Sequence, residues 1–66
     1  MNAELQIDDK NKIIIENSEY KNSKFVNIRK WWLDGNDWKP GKAGITIKPE
    51  NWDEFVRLIV AHEVVG

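Results

Sequence analysis

The C-terminal stretch "PENWDEFVRLIVAHEVVG" (residues 49–66) constrains the fold more than any other part of the chain. Pro49 suits the first position of a helix, and Glu50 and Asp53 favour the positive end of its dipole, although Lys48 ranks poorly as an N-cap. Trp52, Phe55, Val56, Ile59 and Val60 form an apolar stripe at helical spacing. Leu58, Val64 and Val65 widen it until apolar positions cover well over half of the circumference. A helix that apolar has more than one neighbour: one side can cover a sheet, and the other suits a symmetry-related helix. Size leads to the same expectation. A chain of 66 residues buries only about 60% of the surface its unfolded form exposes. With no cysteine and a single histidine it has neither disulfides nor a Cys/His zinc site to compensate, which leaves oligomerisation. We therefore expect one domain over residues 1–66 that pairs as a homodimer through its helices, with Leu58, Ile59, His62 and Val65 at the contact.

Upstream of the helix the pattern is that of strands. "ELQID" (4–8) alternates, with Leu5 and Ile7 on one face, the period of a half-buried strand. "DKN" reads as a turn and "KIIIEN" (12–17) as a β-branched second strand. "SEYKNS" (18–23) is polar and turn-forming. "KFVNIRKWW" (24–32) is a third strand, with Val26 and Ile28 alternating against Phe25, Asn27 and Arg29. "LDGNDWKPGKAG" (33–44) carries three glycines and a proline and reads as a loop. "GITIK" gives a short fourth strand with Ile45 and Ile47 inward. The order is four strands followed by one C-terminal helix.

Charge is unevenly distributed, although the chain as a whole carries −1. Residues 1–20 carry a net −3. Residues 21–48 hold Lys21, Lys24, Arg29, Lys30, Lys39, Lys42 and Lys48 against Asp34 and Asp37, a net +5, and residues 49–66 return to −3. A basic island between acidic ends says more about partners than the total does. Catalysis is not expected. His62 is alone on the helix, no cysteine is present, and neither Ser18 nor Ser23 has a histidine near it in sequence. Helix-dipole and solvation effects account for the scattered carboxylates. No metal or other cofactor is expected, and no apolar run approaches the roughly 20 residues of a membrane span.

The basic island also holds Trp31, Trp32 and Trp38. Core filling is the common fate of aromatics, and Trp52 on the helix stripe fits it. Trp31 and Trp32 lie on opposite faces of a regular strand, so one can be core and the other exposed. "KPGKAG" lacks the spacing of a Walker loop and precedes a strand, so no helix dipole points at a phosphate. It can hold Lys39 and Lys42 out on a segment stiffened by Pro40. An arginine-bearing strand, an aromatic pair and a basic segment together have the composition of a stacking platform. Base–aromatic stacking contributes about 1–3 kcal/mol per base whatever the sequence, while the cations follow the phosphates.

The run "NIRKWWLDGNDWKPGKAGITIKPENW" resembles the positive-cofactor-four family of transcriptional coactivators. Its members share an I-R-x-[YW]-W strand, a K-P-G-[RK]-x-G-I segment and a P-E-x-W helix start. The resemblance is strongest over Asn27 to Trp52 and extends from about Glu4 to the helix end. It implies an α+β fold, a curved four-stranded antiparallel sheet followed by one C-terminal helix, with dimerisation through the helices and single-stranded DNA bound in grooves of the dimer. By position it implicates Arg29, Trp32, Lys39, Pro40 and Lys42, together with Tyr20 and Lys21 in the turn before the third strand and, as a looser match, Lys24. Ala43 stands where members often have a second basic residue, and Tyr20 replaces a phenylalanine. Simple alternation puts Arg29 and Trp32 on opposite faces, so a bulge or strand end must redirect one of them if both touch DNA.

The leading expectation is a homodimeric, largely sequence-independent single-stranded DNA-binding protein acting in transcription, replication or recombination. The alternative is a protein-interaction module whose exposed aromatics dock a peptide. RNA stays open as a partner, because stacking does not consult the 2′-hydroxyl, as do transcription or replication proteins. Eukaryotic relatives carry a long charged N-terminal extension that is not seen here, so the resemblance implies a bacterial or phage member in the cytoplasm. A eukaryotic member would be nuclear.

Overall fold

The computed structural model describes residues 2–65. In chain order it contains β1 (Ala3–Asp8), β2 (Asn11–Tyr20), β3 (Ser23–Asp34), β4 (Asp37–Ile47) and α1 (Pro49–Ala61). The strands form one curved antiparallel sheet in the order β1-β2-β3-β4, each joined to the next by a tight hairpin. This is the α+β order read from the sequence, with longer strands and shorter turns.

The turns explain the difference. Between β2 and β3 only Lys21 and Asn22 leave the ladder, with φ of 50° and 67°. Two positive φ values are what a type I′ turn needs to match the twist of its strands. The polar run 18–23 is therefore not a broad turn, since Ser18–Tyr20 continue β2 and Ser23 opens β3. Between β3 and β4 the turn is Gly35–Asn36, with Gly35 at φ 64°. The run 33–44, expected as a loop, is otherwise strand.

Proline and glycine misled there because β4 is an edge strand, where Pro40 need cost no ladder bond. Gly41 is required for another reason: a Cβ on it would stand 2.7 Å from the Lys30 carbonyl oxygen. The register passes from Arg29↔Gly44 to Trp31↔Pro40, so Gly41, Lys42 and Ala43 together oppose Lys30. This is a bulge on the edge strand. At the β1–β2 turn, the Asp8 carboxylate accepts from the Lys10 backbone N–H at 2.8 Å and from the Asn11 amide at 3.0 Å. These bonds, the Lys10 one first, hold its pKa below the ordinary value.

Pairing assigns the faces, because residues directly opposite in a ladder point the same way. One face is apolar over its middle, with Leu5, Ile13, Ile15, Val26, Ile28, Ile45 and Ile47, and also carries Lys24, Lys30, Trp32 and Lys39. The other carries Glu4, Lys12, Ile14, Glu16, Ser18, Asn27, Arg29, Trp31, Trp38 and Thr46. On it, the Asn27 amide donates to Ser18 Oγ at 2.9 Å and the Thr46 hydroxyl donates to Asn27 Oδ1 at 3.1 Å, tying β2, β3 and β4 together.

Helix α1 meets the sheet chiefly at β3. Its start matches the sequence reading: Pro49 occupies the first turn and Lys48 provides no side-chain cap. It ends sooner than expected, at Ala61, with the His62 N–H donating to the Ile59 carbonyl. Val64 and Val65 follow the helix, and Gly66 lies outside the described residues. Trp52, expected as core, is half-buried and tilts against Phe55 at 5.9 Å. Ile45, expected inward, is 49% exposed.

Both corrections have one cause: a single protomer has little to cover these side chains. Among the described residues Ile14 is the one buried apolar side chain. The chain exposes 5847 Å², where a compact monomer of its mass exposes about 4,400 Å². Its radius of gyration is 13.7 Å against about 11 Å for a compact chain of this length.

Candidate nucleic-acid interface

Strand β3 is the axis of the site. It runs from Lys24 beside the β2–β3 turn to Trp32 near the β3–β4 turn, a span of about 26 Å at the usual strand rise. Along it the expected residues fall into three groups.

The first group lies at the β2–β3 turn. Tyr20 ends β2 and is 65% exposed, and the Lys21 ammonium lies 5.3 Å from the centre of its ring, within cation–π range. Lys24 is directly opposite Glu19 on the ladder. Lys24 also lines an open cleft of about 620 Å³ between the end of the hairpin, where Ile15 and Val26 lie, and Pro49 and Trp52 of α1.

The second group sits at the other end of the sheet, on the apolar face. Trp32 is 44% exposed and stands between Asn11 on β2 and Lys39 on β4. The Lys39 ammonium is 2.6 Å from Asp34 Oδ2.

The third group is on the opposite face. Arg29 is half-buried between Ile14 and Gly44, and its Nε passes within 3.1 Å of where a Gly44 Cβ would be. A side chain at Gly44 would crowd the guanidinium where it passes β4. Trp31 is flanked by Lys12 and Pro40. Arg29 Nε and Trp31 Nε1 are both buried and have no hydrogen-bond partner among the described residues. Lys42 is exposed on the bulge.

Arg29 and Trp32 are therefore not brought together. The β2–β3 pairing is continuous from Asn11↔Trp32 to Tyr20↔Ser23, so β3 alternates without interruption. The bulge lies on β4 and redirects neither side chain.

Sequence reasoning overlooked Lys12 and left Trp38 unassigned. The Lys12 ammonium lies 4.4 Å from the centre of the Trp38 ring and 2.9 Å from Glu4 Oε1. Arg29, Trp31, Lys12 and Trp38 thus share one face, with cations and aromatics interleaved. The signal was present only as register, since Lys12 and Trp31 meet by pairing across a hairpin whose turn had to be placed first.

A four-stranded antiparallel sheet with one C-terminal helix, bearing aromatics and cations along its third strand, defines a small α+β module. Residues 7–58 match the family model described as transcriptional coactivator p15 (PC4). The chain belongs to this family.

Solved structures agree. A PC4 homologue from Burkholderia pseudomallei superposes with a TM-score of 0.82 at 26% identity, over 94% of this chain and 88% of that one. A bacteriophage T5 homologue of the eukaryotic coactivator PC4, implicated in recombination-dependent DNA replication, shares the fold with a TM-score of 0.66 at 24% identity, over 92% of this chain and 69% of that one. MoSub1 in complex with single-stranded DNA matches at 0.55 and 29% identity, over 97% and 86%.

Proposed function

We propose that this chain is a homodimeric single-stranded DNA-binding protein with little sequence preference, acting by binding rather than by catalysis, in transcription, replication or recombination. The observation that carries the reading is the placement of Trp32. It is a large aromatic left exposed on a sheet face with Lys39 directly across the ladder, in a chain whose fold matches that of MoSub1, which has been crystallised with single-stranded DNA. An exposed indole beside an ammonium suits a ligand in which base and phosphate alternate. Tyr20 with Lys21, and Arg29 with Trp31, repeat the combination elsewhere on the sheet. Duplex DNA offers no free base faces, and α1, acidic at its start and apolar beyond, is no recognition helix.

Dimerisation is supported by exposed area. The protomer leaves about 1,500 Å² more surface in water than a compact chain of its mass. Covering that on both copies gives a total of about 3,000 Å², in the range of obligate dimers. Leu58 and Ile59 are 57% and 56% exposed, and Val60, Val64 and Val65 more so. A second copy's helix is the apolar partner they suit.

The reading is tested by fluorescence anisotropy with labelled single-stranded and duplex oligonucleotides of equal length at two salt concentrations. The expected result is preference for the single strand, with affinity falling by about 0.7 log units per log unit of salt for each phosphate neutralised. No binding to either at low salt would overturn it.

A further inference from the structure

The β3–β4 hairpin places more negative charge beside Trp32 than its fold requires. The two-residue turn Gly35–Asn36 leaves no slack, so Asp34 is directly opposite Asp37, and Lys39 directly opposite Trp32. Strand alternation then puts Trp32, Asp34, Asp37 and Lys39 on one face. Two carboxylates facing each other across a ladder are destabilising. The Lys39–Asp34 ion pair is open to water, with side chains 52% and 48% exposed, and pairs of that kind add little to stability. Stability therefore does not account for the cluster. Its electrostatic effect falls at Trp32, because the ammonium directly across the ladder from the exposed ring is already paired with Asp34, and Asp37 adds a second carboxylate beside that pair.

We propose that Asp34 is a built-in competitor for the phosphate position at Lys39, so that it limits both the affinity of this sheet for single-stranded DNA and the salt dependence of binding. The inference rests on the reading of the chain as a single-stranded DNA-binding protein. The Asp34 carboxylate stands at 2.6 Å from Lys39 Nζ, where a phosphate oxygen would make its charge-assisted hydrogen bond. A nucleotide stacked on Trp32 brings its phosphate to the same ammonium. Binding then exchanges one anion for another at Lys39. Such an exchange gains less than capture by a free lysine, and it releases little of the ion atmosphere that makes phosphate binding salt-dependent. The displaced carboxylate also stays within a few ångströms of the phosphate and repels it. An anion held in place this way can set a ceiling on affinity, which suits a protein that must leave the strand again.

The test is anisotropy with a labelled single-stranded oligonucleotide on the full chain, comparing the unsubstituted protein, Asp34→Asn, Lys39→Ala and the double variant. Asp34→Asn is expected to bind roughly three- to tenfold more tightly at low salt, with a salt slope steeper by about 0.7. The double variant is expected to lose that gain. An affinity and slope unchanged in Asp34→Asn would overturn the inference, and so would an equal gain in the Lys39→Ala background, which would mark a general charge effect. Asp34→Ser, also compatible with a turn flank, replaces the asparagine variant if the latter does not fold. Failure of the unsubstituted chain to bind removes the underlying reading and this inference with it, whereas binding that ignores Asp34 removes the inference alone.

Discussion

Trp31 and Trp32 are adjacent on β3 and occupy opposite faces of the sheet, the first half-buried between Lys12 and Pro40, the second 44% exposed beside Lys39. Their substitutions should therefore separate stability from binding. Trp31→Ala removes a ring packed across three strands and should destabilise the fold by about 2–3 kcal/mol, toward the lower end of what a buried tryptophan costs. Trp32→Ala should leave the melting temperature nearly unchanged and weaken single-stranded DNA binding by about 1–3 kcal/mol. Thermal unfolding and anisotropy on both variants check the pair. An unfolded Trp32→Ala would place that ring in the core instead.

At Gly41, β4 runs close against the backbone of β3. Gly41→Ala sets a methyl 2.7 Å from the Lys30 carbonyl oxygen, and that neighbour is backbone in the middle of a sheet. The bulge must open or shift, at a cost of about 1–3 kcal/mol. Because Lys42 lies on the bulge and Lys39 just before it, DNA affinity should fall along with the denaturation midpoint. Urea unfolding together with anisotropy would show both. Affinity lost at unchanged stability would mean that the bulge is soft and that only its shape matters.

Lys21 sits at φ 50° in the β2–β3 turn, a region that favours glycine and asparagine over lysine. The type I′ turn would be better served by Asn at that position. A lysine kept where its backbone is disfavoured is consistent with a role for its charge, stacked as it is over Tyr20. Lys21→Asn should raise thermal stability while lowering affinity for single-stranded DNA and reducing the salt slope by about 0.7. Stability and binding rising together would release Lys21 from the site.

Acid should act late at the β1–β2 turn. The pKa of Asp8 is lowered by bonds from Lys10 and Asn11 to its ionised form. Its contribution to stability is therefore complete above the unfolded carboxylate value, about 3.9, and is lost as pH falls through the lower folded value. NMR titration should find Asp8 among the last carboxylates to protonate, and Asp8→Asn should flatten the acid limb of the stability curve. An Asp8 midpoint at or above the unfolded value would contradict the turn geometry.

The order of elements was legible because periods of two and of 3.6 are written in the side chains themselves: Leu5 and Ile7, Val26 and Ile28, and the stripe from Trp52 to Val60. The lengths of β2 and β4 were not. Ser18–Tyr20 are polar yet lie in the ladder because the I′ turn needs only Lys21 and Asn22. Pro40 and Gly41 look like a loop but are tolerated in an edge strand. For the site, the exposed Trp32 with Lys39 could be reached from alternation and a resemblance. The grouping of Arg29, Trp31, Lys12 and Trp38 could not, since it depends on a register that exists only after two hairpins have closed. The placement of Arg29 and Trp32 was legible in its simplest form, as plain alternation.

The apolar helix gives the sharpest test of assembly. Ile59 is 56% exposed in the protomer, so in an isolated chain Ile59→Glu would be a mild surface change. If instead a second copy covers it, the substitution buries an unpaired charge on both sides of a symmetric interface, costing several kcal/mol per dimer. With so little buried in one protomer, the monomer has no other core to fall back on, and stability should depend on protein concentration. We expect the unsubstituted chain to sediment as a dimer and to melt at a temperature that rises with concentration, and Ile59→Glu to unfold or to lose the dimer. Sedimentation equilibrium and concentration-dependent melting of both proteins decide it: a monomer that melts at the same temperature at every concentration would mean that the sheet and helix suffice alone.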